Sequence, residues 1–319
     1  MSAGGSTRVV IAALAGNAAI AATKMGAALF TGSSAMLSEA VHSLADTGNQ
    51  GLLLLGMRRA TRPADERHPF GYSMEIYFWS FIVAIVLFSL GAGVSIYEGI
   101  EKIRDPHPMS DAYINYIVLV AAMVFEAGSF YVAITEFNKL RGETPIVTAI
   151  AESKDAALYT VLLEDMTAMA GLVIALAGVI FADLGGYAVA DGIASVAIGL
   201  LLGGVAVFLT WQTKGLIIGE AASGETVDGI RQLIAENPHV ARINELRTMH
   251  LGPSDVLLAM SLDFRDGRKS AAVEEAIYEM ERAIKTRWPE VRRVFLEVQS
   301  SDRHAALEAL PSVTAPAEH

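Results

Sequence analysis

Long apolar stretches separated by short polar breaks fill the first two thirds of the chain. Six of them, 8–30, 34–57, 75–100, 112–135, 157–181 and 187–210, each approach the ~20 residues a helix needs to cross a bilayer. The breaks at Thr31-Gly32-Ser33-Ser34 and Asp183-Leu184-Gly185-Gly186 are so short that they predict tight helical hairpins. The pattern changes after residue 215. Over 225–237 the apolar positions Val227, Ile230, Leu233 and Ile234 recur at helical spacing, and Pro238 stops the run. Residues 240–250 and 255–265 read as strands around Gly252-Pro253-Ser254, the second alternating through Leu258, Met260, Leu262 and Phe264. A second amphipathic helix spans 270–287, with Val273, Ile277, Met280 and Ile284 on one face, and a last strand spans 291–299.

The expected architecture is therefore an all-α six-helix transmembrane bundle over 1–215, followed by a small cytoplasmic α+β domain over 216–300. Its order is α-β-β-α-β, which reads as ferredoxin-like. The Ala-, Pro- and Glu-rich tail over 301–319 is expected to lack fixed structure.

Composition agrees with a membrane protein. Of 319 residues, 53% are hydrophobic and 18% charged, which excludes an ordinary soluble domain. There is no cysteine. Disulfides and thiolate sites are excluded, and any metal must be held by His, Asp or Glu. A net charge of −11 argues against a nucleic-acid partner. Arg58, Arg59, Arg62, Arg67, Lys139, Arg141, Lys154 and Lys214 all fall on one side of the predicted spans, against Lys102 and Arg104 on the other. Both termini are thus expected in the cytoplasm, with the cell (inner) membrane as location. The first apolar run contains Asn17 and Lys24 and continues to Phe30, longer than a cleaved signal segment. Those two residues are expected to face neighbouring helices or to snorkel.

The costly residues are the informative ones. His42 and Asp46 are four apart in the second apolar stretch and share one helix face, which Asn49 continues. An Asp at mid-membrane costs about 2.5–3.5 kcal/mol. The pair can serve as an interhelical hydrogen bond or as a metal or proton site. A neutral ring nitrogen and a carboxylate one turn apart suit a divalent ion, but two ligands do not complete a site. The fifth stretch supplies Glu164 and Asp165, which point about 100° apart on a helix. Glu164 shares its face with Thr160, Thr167 and Gly171, and Asp165 with Val161, Ala168 and Leu172. Glu126 in the fourth stretch is either a protonated structural acid or a proton relay. Asp65 and His68, between the second and third stretches, are a candidate surface chelate in what is otherwise an exposed polar loop. Small residues such as Ala168, Gly171, Gly178, Gly192, Gly199 and Gly203 permit close helix packing.

Taken together, these segments resemble the cation diffusion facilitator family. They are Ser-Glu-Ala-Val-His42-Ser-Leu-Ala-Asp46, Asp65-Glu-Arg-His68-Pro-Phe-Gly-Tyr72, Ala190-Asp191-Gly-Ile-Ala-Ser and Ile243-Asn-Glu-Leu-Arg-Thr-Met-His-Leu-Gly-Pro253. The family's transport site pairs His or Asp with an Asp four residues on, in both the second and fifth spans. His42 and Asp46 match the first pair and Asp165 the end of the second. Val161 stands where the remaining ligand would be. The zinc-transporter-nine-like branch, whose segment also reads Leu-Leu-Glu-Asp, shares this departure. The resemblance implies a site of His42, Asp46 and Asp165, completed by water or by Glu164.

It also implies a loop site, of which Asp65 and His68 match while Tyr72 replaces the second His. At the soluble-domain metal positions stand Asn244, Ser261 and Glu297, so that site is expected to be weakened or absent, with His250 and Asp263 as alternatives. No permanently bound cofactor is implied. The metal is cargo, the partners are divalent cations, protons and the lipid bilayer, and the chain is expected to pair as a homodimer through its soluble domain.

The function that follows is efflux of a divalent cation, zinc first, by proton-coupled antiport with alternating access. Fewer nitrogen ligands also admit manganese, iron or cobalt. Two other classes compete. A membrane-embedded metalloenzyme is opposed by the lack of His-Glu-x-x-His and of a Ser or Cys nucleophile constellation, so no enzymatic activity is expected. A non-transporting metal sensor would place the function in the soluble domain.

Overall fold

The computed structural model describes residues 3–107, 111–142 and 144–309. It divides into two compact units, Met1–Ile217 and Ile218–His319. The first is helical: α1 (Ala3–Thr31), α2 (Ser34–Ala60), α3 (Glu75–Val86), α4 (Gly93–Arg104), α5 (Ala112–Arg141), α6 (Ile146–Glu152), α7 (Ala156–Asp183) and α8 (Val189–Ile218). A π-helical segment, Leu87–Ala92, joins α3 to α4 into one rod. The short α6 escapes a hydropathy reading, since seven residues carry too little periodicity.

Among the described residues, four helical stretches are long and apolar enough to cross a membrane: Glu75–Arg104, Ala112–Tyr131, Tyr159–Asp183 and Val189–Ile218. The protein is an integral, multi-pass membrane protein. Six spans were expected. α1 and α2, with 29 and 27 residues, have the length, but in α2 the residues Glu39, His42, Asp46 and Asn49 interrupt the apolar run. Val124, Leu200, Val207 and Phe181 are exposed on the outer surfaces of their helices, where a lipid phase favours them.

The α1–α2 turn is tied to three other helices, α4, α5 and α8. Gly32 takes φ +67° to end α1, a conformation glycine adopts without strain. Ser33 caps α2, its hydroxyl oxygen accepting from the Met36 N–H at 3.1 Å. The same hydroxyl donates to Asp191 Oδ1 of α8 at 2.6 Å. Asp191 Oδ2 accepts from the Ser34 N–H at 2.7 Å and the Ser34 hydroxyl at 3.1 Å. From α4, Lys102 Nζ donates to the Gly32 carbonyl at 2.9 Å. Thr31 Oγ1 donates to Asn115 Oδ1 of α5, also at 2.9 Å. One turn further along α2, the Ser38 and Ser195 hydroxyls meet at 2.5 Å.

Small residues set the spacing of α4, α7 and α8. A methyl group on Gly99 would lie 2.7 Å from the Gly192 carbonyl oxygen, and one on Gly178 would lie 2.4 Å from Ala194 Cβ.

The second unit is α+β: α9 (Gly224–Ala235), β1 (Val240–Gly252), β2 (Asp255–Phe264), α10 (Ser270–Arg287), β3 (Val291–Val298) and α11 (Ser301–Glu308). The sheet order is β1-β2-β3, with β1 and β2 antiparallel and β2 and β3 parallel. Among the described residues it has three strands, so it lacks the first strand of the β-α-β-β-α-β ferredoxin-like arrangement. Ile230, Ile234, Met280 and Ile284 of the helices bury one sheet face against Val256, Leu258, Met260 and Leu262. The tail also differs from expectation, because Ser301–Glu308 is helical. Residues 310–319 lie outside the described part.

The tight glycine crossings generate a direct test. Gly99→Ala forces a methyl group onto backbone atoms of α8 and should cost about 1–3 kcal/mol, read as a lower thermal midpoint in detergent. Gly128→Ala, with open space around it, should leave the midpoint unchanged or slightly raised. Equal midpoints for the two variants would contradict the packing described.

Candidate functional site

α2 presents a polar stripe of Glu39, His42, Ser43, Asp46 and Asn49 at helical spacing. Glu39, His42 and Asn49 are fully buried. His42 Nδ1 lies 3.4 Å from Asp46 Oδ1. Neither ring nitrogen of His42 has a hydrogen-bond partner, nor does Asp46 Oδ1. Buried polar atoms are nearly always satisfied, yet this face of α2 carries five without a partner, since Glu39 Oε1 and Asn49 Oδ1 also lack one.

Asp46 opens on a cavity whose walls come from four helices. α5 contributes Glu126, α7 contributes Val161, Glu164 and Asp165, and α1 contributes Asn17. Four carboxylates therefore converge on one interior space in a bundle where each is expensive. Of the sequence candidates, the structure brings together Asp46, Glu126, Glu164 and Asp165, with His42 one turn away on α2. Asp65 and His68 lie outside this cavity.

The angular divergence of Glu164 and Asp165 is resolved by different partners. Asn49 Nδ2 of α2 donates to Glu164 Oε1 at 2.8 Å. Ser129 Oγ of α5 donates to Asp165 Oδ2 at 3.1 Å. Glu164 is the residue tied to the His42 helix, while Asp165 is steadied from the opposite wall. Thr160, one turn before Glu164, is buried with its hydroxyl lacking a hydrogen-bond partner.

The stripe has a counter-charge that sequence reading did not assign. Lys24 of α1 is fully buried. Its Nζ donates to Glu39 Oε2 at 3.1 Å and to Ser43 Oγ at 2.7 Å. Gly171 of α7 makes room for the pair, since a methyl group there would sit 2.3 Å from Glu39 Oε1. The signal in the sequence was a lysine and a glutamate in consecutive apolar stretches. Their contact emerges only when the hairpin folds.

The loop between α2 and α3 behaves differently. Asp65 Oδ1 accepts from the Arg67 and His68 N–H groups at 3.0 and 2.7 Å, and Tyr72 donates its hydroxyl to Asp65 Oδ2 at 2.6 Å. Led by the Tyr72 bond, these donors hold the Asp65 carboxyl below the usual carboxylate range, and the same bond to Asp65 pushes the Tyr72 hydroxyl up. Both Asp65 oxygens are engaged in the turn itself, and the His68 ring stacks at 4.2 Å on Tyr72.

In the second unit, Asn244 Nδ2 donates to Ser261 Oγ at 3.4 Å and to the Gln299 carbonyl at 2.8 Å. Asp263 Oδ2 accepts from the Ser301 N–H at 2.9 Å, and that bond leads in holding the Asp263 carboxyl low. His250 Nδ1 stands 3.1 Å from the Gly252 carbonyl.

These features define a multi-pass membrane protein with a carboxylate-walled interior cavity and a C-terminal α+β unit. Its residues 10–218 match the cation efflux transmembrane domain, and the chain belongs to the cation efflux, or cation diffusion facilitator, family. It is 34% identical over 267 residues to the proton-coupled zinc antiporter SLC30A9, mitochondrial, of Mus musculus, covering 83% of this chain and 47% of that protein. It is 30% identical to metal tolerance protein C4 of Arabidopsis thaliana, covering 81% of this chain and 57% of that protein. It is 26% identical to the magnetosome protein MamB of Paramagnetospirillum magneticum, covering 87% and 88%. The chain spans about half the length of the animal relatives it matches. Cation efflux proteins are transporters, so the metalloenzyme considered on sequence grounds is set aside.

The Lys24–Glu39 pair makes a prediction. Lys24→Met strands a buried carboxylate and should cost about 3–5 kcal/mol, seen as a reduced thermal midpoint in detergent. Lys24→Met combined with Glu39→Met should recover most of the loss. A double variant no better than the single one would contradict the pairing.

Proposed function

We propose that the protein exports a divalent cation, zinc first, across the cell (inner) membrane by proton-coupled antiport. The observation that supports this most strongly is the set of unsatisfied buried atoms on His42 and Asp46 beside a cavity of carboxylates. In this reading His42 and Asp46 form one half of the site. Glu164 and Asp165 form the other, Glu164 from the α2 side and Asp165 through its cavity-facing oxygen. The Thr160 hydroxyl or a water completes the shell. This oxygen-rich set with one imidazole fits zinc and also admits manganese, iron or cobalt.

Metal binding displaces protons from His and carboxylates, which supplies the coupling, with Glu126 at the cavity wall as relay. α1 and α2 count as spans in this reading, making six, with both termini cytoplasmic. The soluble unit pairs with a second copy. Phe295 of β3, more than half exposed, lines a groove with Ala259 and Leu296 and supports that pairing. The loop residues Asp65 and His68 organise the turn rather than hold metal, because Asp65 accepts three hydrogen bonds within the turn and Tyr72 stands where a third ligand would be.

Reconstituted vesicles test the reading. Zinc uptake should depend on an imposed pH gradient and should fall by roughly tenfold or more in His42→Ala and Asp46→Asn. Glu164→Gln and Asp165→Asn should each impair uptake, whereas His68→Ala should not. Uptake that ignores the gradient would remove the proton coupling. Uptake retained in the two α2 variants would remove the site.

A further inference from the structure

We propose that the second unit binds a divalent metal ion between Glu245 of β1 and His304 and Glu308 of α11. The three side chains offer ligand atoms that all lie within 4.8 Å of one another. Two ligands on a tetrahedral zinc stand about 3.4 Å apart, so side-chain movements of roughly 1 Å close the set. His304 and Glu308 are four apart on α11 and share a face, and His304 Nε2 is 3.9 Å from Glu308 Oε1.

The histidine is oriented for the task. Its Nδ1 is 3.0 Å from Gln299 Oε1. That oxygen only accepts, so Nδ1 carries the proton and Nε2 keeps its lone pair toward the two glutamates. A carbonyl on the far ring nitrogen is how metal-binding histidines are held in place. The His304 side chain is 15% exposed and Glu308 63%, which leaves an open side for water ligands. Arg247 donates to Glu245 Oε1 through Nε and Nη2. Arg247 engages only that oxygen, which leaves Oε2 for the ion.

The helix that carries two of the ligands is fixed independently of them. Its first residue, Ser301, donates through its backbone N–H to Asp263 Oδ2 at 2.9 Å, and its hydroxyl sits 2.8 Å from the same oxygen and 2.9 Å from Asn244 Oδ1. Asn244 lies where the β1–β2 register shifts, and such a bulge re-aims a side chain. One nitrogen and two carboxylates, neutral overall with a dication, suit zinc. The ion would add a second tie between α11 and β1 and steady the later turns of α11 as the free cation level rises. This site involves none of Asn244, Ser261 or Glu297 as ligands, and it stands apart from the transport reading.

The test uses the full chain in detergent with His42→Ala, Asp46→Asn, Glu164→Gln and Asp165→Asn in place, so that the proposed transport site does not contribute. Zinc is titrated against a chromophoric chelator, and amide exchange is followed over 301–308. The expected result is one bound zinc per chain that slows exchange across α11. His304→Ala and the near-isosteric Glu308→Gln should each weaken binding roughly tenfold or more and remove the protection. Arg303→Ala, on the exposed side of α11, should alter neither. The proposal is overturned if no zinc is retained, if His304→Ala or Glu308→Gln binds as before, or if Arg303→Ala weakens binding as much as they do.

Discussion

A carboxylate buried at the end of a bundle needs donors, and Asp191 finds them at the N-terminus of α2. The Ser33 and Ser34 hydroxyls and the Ser34 N–H bond it within 3.1 Å. The partial positive charge of the helix end adds to these bonds. With Lys102 on the Gly32 carbonyl and Thr31 on Asn115, this interaction fixes where α2 begins and how it is rotated. Every polar residue on α2 takes its direction from that setting. Were α2 turned by a third of a revolution, His42 and Asp46 would face lipid or the apolar core.

The stripe that results shows how a bundle accommodates charge. Glu39 is balanced by Lys24 and Asn49 is joined to Glu164. Between these two tethers, His42 and Asp46 are left with atoms that bond nothing, as are Glu39 Oε1 and Asn49 Oδ1. The bonded atoms hold the helices together, and the unbonded ones of His42 and Asp46 are those the proposed cation would use. The same division recurs in the second unit, where Asn244, Ser261 and Asp263 are consumed in docking α11 and the free ligand atoms belong to its next turns.

Much of this was legible in the chain. Periods of 3.6 and 2 delimit α9, β1, β2, α10 and β3 because each element buries one face. His42 and Asp46 stand out because charge is costly in an apolar run. Other features were hidden for identifiable reasons. The Lys24–Glu39 contact spans a hairpin, and local spacing carries no trace of it. The roles of Glu164 and Asp165 depend on Asn49 and Ser129, which belong to other helices. α6 is too short to show a period, and α11 has too little apolar character to separate it by composition from a tail. The number of spans is the remaining contrast. Hydropathy suggests six, while the polar stripe that builds the site is what makes α2 fall short as an apolar span.

The central claim is that His42 supplies the single nitrogen in an oxygen-rich cation site. X-ray absorption at the zinc edge addresses it most directly, on zinc-loaded protein carrying His304→Ala and Glu308→Gln. The account expects a shell of oxygen and one imidazole nitrogen at about 2.0–2.2 Å, with the imidazole scattering lost on adding His42→Ala. Imidazole scattering that persists without His42, or a shell with no imidazole when His42 is present, would contradict it.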